Sequence, residues 1–198
     1  SAGSVEPGCT TTPAALLRSI LSDPAAEHRE HRRRLLAVLG ASQALGDFLV
    51  AHPERLTALA PLRAWSSLEE PSPSEALQRV VQEALGQAGP ANAAPSDGGE
   101  TTPQPGGTDQ AVSRATAALR RAYRDRLTAI VADDLTSADP IEHVPTVCRR
   151  MTELADAALD AALLVARAAV GPQADDVALA VIAMGKTGAR ELNYISDV

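Results

Sequence analysis

Residues 184–198 read MGKTGARELNYISDV and hold the densest set of groups able to do chemistry. Gly185-Lys186 comes directly after an apolar run, and Ser196-Asp197 follows further along. That order suits the handling of phosphate. Gly185 lets the backbone approach an anion closely, and neighbouring N–H groups can point at it. Lys186 supplies a cation beside the same oxygens. Asp197, entering a second strand whose alternate residues share a face, could hold Mg²⁺ against the phosphates.

Residues 180–187, AVIAMGKT, imitate the P-loop pattern G-x-x-x-x-G-K-[ST] at every place but the first. A P-loop needs glycine there, a phosphate-cradling loop in between, and its lysine in the first turn of a long helix. Here the interval is Val181-Ile182-Ala183-Met184, apolar enough to be strand interior, so a P-loop nucleotide-binding protein is the lesser reading. Taken singly, Gly185-Lys186 is an ordinary strand-to-turn connection and Asp197 a cap or turn residue. It is the length of the motif that favours function. Glu191 and Asn193 read as local hydrogen-bonders that fix the turn. His28 and His31 have a spacing that can bind metal, but no Cys or carboxylate pair completes a set and Arg32, Arg33 and Arg34 oppose a cation. They read as a solvated polar face. Asp133-Asp134 and Asp175-Asp176 read as solvated turns, and Trp65 as a packing anchor.

The elements that must position the motif are mostly helical. Hydrophobic residues make up 45% of the chain and aromatics only 2%, so the core must be built from Leu, Val, Ile and Ala, two of them strong helix formers. Thr12-Pro13 and Asp23-Pro24 are helix starts. Gly40 reads as a helix stop, Ser42 as the next cap, and His52-Pro53 as a break. A further helix covers 74–85. Residues 86–110 are rich in Gly, Pro, Ala and Thr and lack periodicity, which predicts a disordered linker. Apolar residues then recur at helical spacing from Val112 to Val131 and from Val147 to Ala169. Pro140 and Pro145 frame a loop, and Gly171-Pro172 stops the last helix. VALAVIAM, 177–184, is continuously apolar and partly β-branched, the signal of a strand buried on both faces. The expectation is a mainly α chain: a helical region (1–85), a linker (86–110), a helical pair (111–172) and the first strands of an α+β catalytic domain (173–198).

The net charge of −7 argues against broad binding to nucleic acid or to an anionic membrane. Cys9 and Cys148 form neither a metal-ligand spacing nor a disulfide framework. No signal peptide and no apolar run of about 18 residues are present. A cytoplasmic location is expected. The chain opens on SAGSVEPG and stops at Val198, which reads as an excised part of a longer protein.

At residues 184–198 the chain resembles the M-G-K-L-G-G-R-E-L-N-Y-x-S-D-x-D motif of the bifunctional glutamine synthetase adenylyltransferase family, within the polymerase-β-like nucleotidyltransferase superfamily. LGASQALGDFLVAHPERL is similar to that family's helical leader. LRRAYRDRLTAIVADDLT and MTELADAALDAALLVAR are similar to the two helices before its catalytic strand. The resemblance implies that Gly185, Lys186, Gly188 and Ser196 contact nucleotide or phosphate, and that Asp197 is catalytic and a Mg²⁺ ligand. The family carries two such domains, and Asn193-Tyr194 is more like the first. By resemblance, that domain removes AMP from a tyrosine of glutamine synthetase by phosphorolysis, giving ADP, while the second attaches AMP from ATP. A PII-type protein regulates both in many members. Thr187, Ala189 and Ile195 depart from the usual pattern. The second carboxylate would follow Val198, so this chain alone is expected not to turn over. The alternative is a non-catalytic helical docking region for glutamine synthetase or the regulator.

Overall fold

Local chemistry sets most helix ends. The computed structural model describes residues 12–60, 71–86 and 107–194. In α1 (Pro13–Ser22), the Thr12 Oγ1 accepts from the Ala15 N–H at 3.3 Å, and Pro13 occupies the first turn, where a missing N–H loses no bond. Asp23 Oδ1 accepts from the Ala25 N–H at 2.8 Å, so α2 (Ala26–Ala41) begins two residues after Pro24. It runs through Gly40 and ends at Ser42, which caps α3 (Gln43–Ala51) by accepting from the Leu45 N–H at 3.3 Å. His52-Pro53 turns the chain into a 3₁₀ segment, Pro53–Leu59. At the start of α4 (Pro73–Gly86), Ser72 Oγ accepts from the Glu75 N–H at 3.2 Å, while Glu75 Oε2 accepts from the Ser72 N–H at 2.8 Å.

Two long helices follow, α5 (Gly107–Leu135) and α6 (Pro140–Val170). The loop expected between Pro140 and Pro145 is absent. Asp139 caps α6, accepting from the Glu142 N–H at 3.1 Å, and Pro145 lies inside the helix. So near the N-terminus, the proline deprives only the Ile141 carbonyl of a donor. Gly171, with φ 78°, ends α6, and a 3₁₀ segment Gly171–Asp176 leads on.

Helix α5 joins two cores. Its Ala115, Ala118 and Ile130 pack with Leu77 and Val81 of α4 and with Leu154, Ala157 and Ala161 of α6. Alanines at these contacts keep side-chain bulk between the helix backbones small. Its last turns bring Val131 and Ala132 to Ile20, Leu35, Val38, Leu45 and Leu59 of the first helices. Each fully buried Leu or Val stabilises by about 1.5–3 kcal/mol. The chain is mainly α among the described residues, and none of them forms a strand. The buried strand predicted for 177–184 is not formed there: Ile182 and Met184 are each 81% exposed. A strand is completed by a neighbour's N–H and C=O groups, and no described residue supplies that ladder.

The arginines 32–34 each tie α2 to another segment; Arg33 stays exposed, while Arg34 is buried and leaves the solvated face expected of this stretch. Arg32 Nη1 donates to the Ile20 carbonyl at 2.8 Å and Arg33 Nη2 to the Thr136 carbonyl at 2.7 Å. Arg34, 2% exposed, donates from Nε to the Leu59 carbonyl (2.8 Å), from Nη2 to the Ala129 carbonyl (3.2 Å) and from Nη1 to Asp133 Oδ1 (3.0 Å). His31 Nε2 lies 2.8 Å from the Leu56 carbonyl, and His28 Nδ1 lies 3.1 Å from Asp23 Oδ2. Asp133 is likewise no solvated turn, since it also accepts from Arg150 of α6. Burial disfavours the Asp133 carboxylate, but hydrogen bonds from Arg150 and Arg34 outweigh it and hold the pKa below its usual value.

Arg34→Ala, which strips Asp133 of one cation and two carbonyls of their donor, should lower unfolding free energy in urea by about 3–5 kcal/mol at neutral pH. Because the folded pKa of Asp133 is depressed, its contribution is present above the ordinary carboxylate pKa and lost as pH falls below about 4. Urea midpoints of wild type and Asp133→Asn should therefore differ at pH 7 and converge in acid.

Candidate functional site

The Gly-Lys motif forms one tight helical turn, α7 (Gly185–Gly188). Gly185 has φ 58°, in the region that strains any residue with a Cβ. At Gly188 a Cβ would sit 2.6 Å from the Ala183 carbonyl oxygen, so the backbone itself demands glycine. Four amides fold back over the turn. Gly188 donates to the Met184 carbonyl (3.3 Å), Ala189 to Gly185 (3.0 Å), Arg190 to Thr187 (3.1 Å) and Glu191 to Lys186 (2.7 Å). The first N–H groups of such a turn have no acceptor within it. Thr187 is buried beneath, and Lys186 is exposed with no ion-pair partner among the described residues. α7 is four residues long, not the long helix that a P-loop requires.

Two departures from the family motif, Thr187 and Ala189, are accommodated. Ala189 sits at φ −80°, ψ −6°, where a Cβ is unstrained. The left-handed conformation falls instead on Arg190, φ 60°, whose Nη1 lies 3.8 Å from Glu153 Oε1 on α6. The expected role of Glu191 in fixing the turn is taken by its main-chain N–H.

Two side chains fasten the segment to the helical body. Leu192, 3% exposed, is part of the α4–α6 core. Tyr194 donates its hydroxyl to Asp134 Oδ2 at 2.9 Å. Partial burial first, and then the Asp134 carboxylate, push the Tyr194 phenol well above its ordinary pKa. A hollow of about 430 Å³ lies between residues 192–194 and helices α3, α5 and α6. It shares Leu45, Tyr123 and Leu127 with a larger groove of about 860 Å³ that Arg120, Arg124 and Asp47 also line.

Gly185, Lys186 and Gly188 thus come together in one turn, as their closeness in sequence requires. Ser196 and Asp197 lie outside the described residues, as do Ile195, Trp65 and residues 87–106 of the expected linker. Asp134 escaped sequence reasoning as a site-related residue. Its partner is 60 residues away, and the Asp-Asp pair at a helix end carries no signal of it. Among the described residues, no group of three or more His, Cys, Asp or Glu side chains could hold a metal ion. Nor is any described helix long and apolar enough to cross a membrane.

The family model described as glutamate-ammonia ligase adenylyltransferase matches residues 32–198. The chain belongs to this family. A bifunctional glutamine synthetase adenylyltransferase/adenylyl-removing enzyme of Corynebacterium diphtheriae is 38% identical over 207 residues, covering 85% of this chain and 18% of that protein. The protein of the same name from Mycolicibacterium smegmatis is 40% identical over 186 residues, covering 92% of this chain and 16% of its own length. That of Mycobacterium tuberculosis is 40% identical over 192 residues, with shares of 93% and 15%. This adenylyltransferase-family chain therefore spans less than a fifth of these relatives' length. No solved structure matches it.

The two glycine environments make opposite predictions. Gly188→Ala, clashing with backbone, should speed amide exchange over 188–191 by ~10-fold or more while leaving the urea midpoint of the helical body nearly unchanged. Gly40→Ala, inside α2 with open space around it, should raise stability by about 0.5–1 kcal/mol.

Proposed function

We propose that this chain belongs to the AMP-removing half of a protein that removes and adds AMP on a tyrosine of glutamine synthetase. In the proposed reaction an oxygen of inorganic phosphate attacks the adenylyl phosphorus. The bond from that phosphorus to the tyrosine oxygen breaks, the phenol regains a proton, and ADP leaves. The observation that carries the reading is the turn at Gly185–Gly188. It presents Lys186 to solvent free of any described anion, on a backbone that only glycine allows at two positions. It stands within a chain whose similar relatives carry the adenylyltransferase/adenylyl-removing name.

In this reading Lys186 and the N–H groups opening α7 bind phosphate oxygens, Gly185 and Gly188 let the backbone come close, and Ser196 adds a hydrogen bond. Apart from Ser196, the phosphate side of the proposed site falls within the described residues, among which no group of three or more His, Cys, Asp or Glu side chains could hold a metal. Mg²⁺ would be held by Asp197, and when bound it would neutralise charge on the phosphates. The remainder of the proposal follows the family: an α+β nucleotidyltransferase domain continuing from 177–198, a second domain that adds AMP from ATP, a PII-type regulator, and a cytoplasmic setting.

The second reading, a docking region for glutamine synthetase or the regulator, is favoured by one observation, the open groove along α3, α5 and α6. Both roles fit one polypeptide. The test is phosphate-dependent release of ADP from adenylylated glutamine synthetase by the full-length polypeptide. Asp197→Asn should abolish release, and Lys186→Ala should raise KM for phosphate ~10-fold or more, the loss of one charge-assisted contact. Full activity in Asp197→Asn would remove that carboxylate from the site.

A further inference from the structure

A groove of about 860 Å³ lies along the two long helices. On α5 it is lined by Leu119, Tyr123 and Leu127, whose i, i+4, i+8 spacing stacks them on one face. On α6 it is lined by Ala155, Ala158 and Ala162, at i, i+3 and i+7. Phe48 of α3 adds the remaining wall. Other faces of α5 and α6 already pack with α4, through Ala118, Ala157 and Ala161. Helices α4, α5 and α6 thus form a bundle with room for one more helix. The α5 stripe spans about 12 Å, and a helix about 10 Å across takes up roughly 900 Å³ over that length. The alanines on the α6 side leave space for a backbone to come close.

One rim of the groove is basic. Arg120 and Arg124 line it one turn apart on α5, both exposed, and neither has an acidic partner among the described residues. Arg34, Arg55 and Arg150, by contrast, each meet a carboxylate. In a chain of net charge −7, this rim suits an anionic partner. The groove also shares Tyr123 and Leu127 with the hollow that Leu192 and Tyr194 line, so it reaches the segment carrying the Lys186 turn.

We propose that this groove docks the protein substrate by taking one amphipathic helix of glutamine synthetase, with its apolar side on Leu119, Tyr123 and Leu127 and its carboxylates toward Arg120 and Arg124. The inference rests on the docking reading given above. A helix laid into such a groove is held by burial of its apolar face, while rim charges set its orientation and its rate of association. The tyrosine that carries AMP is one side chain on a large protein, so contacts away from it must hold the two proteins together. Those contacts are separate from the binding of phosphate.

The test uses the full-length polypeptide with adenylylated glutamine synthetase as the probe. Arg120→Glu reverses a rim charge, and Ala162→Trp fills the groove from an exposed position. Each should raise Kd and KM for the synthetase ~10-fold or more, by repulsion and by a clash. KM for phosphate, kcat and melting temperature should not change. Arg120→Lys should keep most of the affinity, and added salt should weaken wild type more than Arg120→Glu. The inference is overturned if both variants bind the synthetase as wild type does, or if weaker binding tracks a fall in melting temperature. A lower melting temperature with unchanged Kd would mean that the groove is covered by the polypeptide's own chain. A changed oligomeric mass with unchanged Kd would mean that a second copy covers it. Either result overturns the proposal, as does a changed KM for phosphate with unchanged Kd for the synthetase. Its failure is distinct from that of the proposed chemistry. An active wild type with variants of unchanged Kd defeats the docking groove alone. An inactive wild type whose binding both variants weaken defeats the chemistry and leaves the groove standing.

Discussion

A single buried guanidinium, that of Arg34, is the constraint around which the helical body is arranged. An arginine taken out of water is tolerated only when its charge and its N–H groups are matched. Arg34 meets that demand with two main-chain carbonyls and one carboxylate, drawn from the 3₁₀ segment and from α5. The carboxylate, Asp133, is in turn shared with Arg150 of α6. Four segments distant in sequence are thereby fixed at one point. Apolar packing alone would not set that point so sharply, since Leu and Ala surfaces slide against one another with modest loss. The Leu59 carbonyl sits at the end of the 3₁₀ segment, where 3₁₀ bonding stops, so the guanidinium also pairs a main-chain acceptor there.

The candidate site depends on the same point. Asp134 follows Asp133 on the last turns of α5, and Tyr194 is bonded to it. Leu192 lies in the core that α4, α5 and α6 enclose. The Gly185–Gly188 turn is therefore bounded by α6 and its 3₁₀ extension on one side and by two anchors on the other. The intervening 177–184 run is the exception, with its apolar side chains facing solvent. The motif is held at its ends by the helices. No strand forms at 177–184 among the described residues.

Membership of the glutamate-ammonia ligase adenylyltransferase family agrees with this arrangement, and the match reaches from within α2 to the end of the chain. The helices are thus part of what is similar among these proteins, not a spacer ahead of the motif. The geometry adds a reason: the motif segment is tied to Asp134 of α5, to Glu153 of α6 and, through Leu192, to the core that α4, α5 and α6 enclose.

Much of this was determined by the sequence alone. Helix starts at Thr12, Ser42 and the stop at Gly171 are local events, in which a side chain or a glycine satisfies backbone a few residues away. Such events need no tertiary context. The Gly-Lys turn was legible for the same reason, because its residues are neighbours. The tertiary structure alone decided what lies between distant segments. Arg34 and Asp133 each read as solvated, and Pro145 as a loop boundary. The pairing of the first two and the packing of α6 override those readings, because burial and ion pairing outweigh local preference. The Tyr194–Asp134 bond joins residues with no common local signal. The 177–184 run shows the converse: its composition states a preference for a strand, but a strand exists only as a ladder with a partner. Local bonds can be read from a chain, whereas the matching of buried charge and the completion of a sheet belong to the assembled molecule.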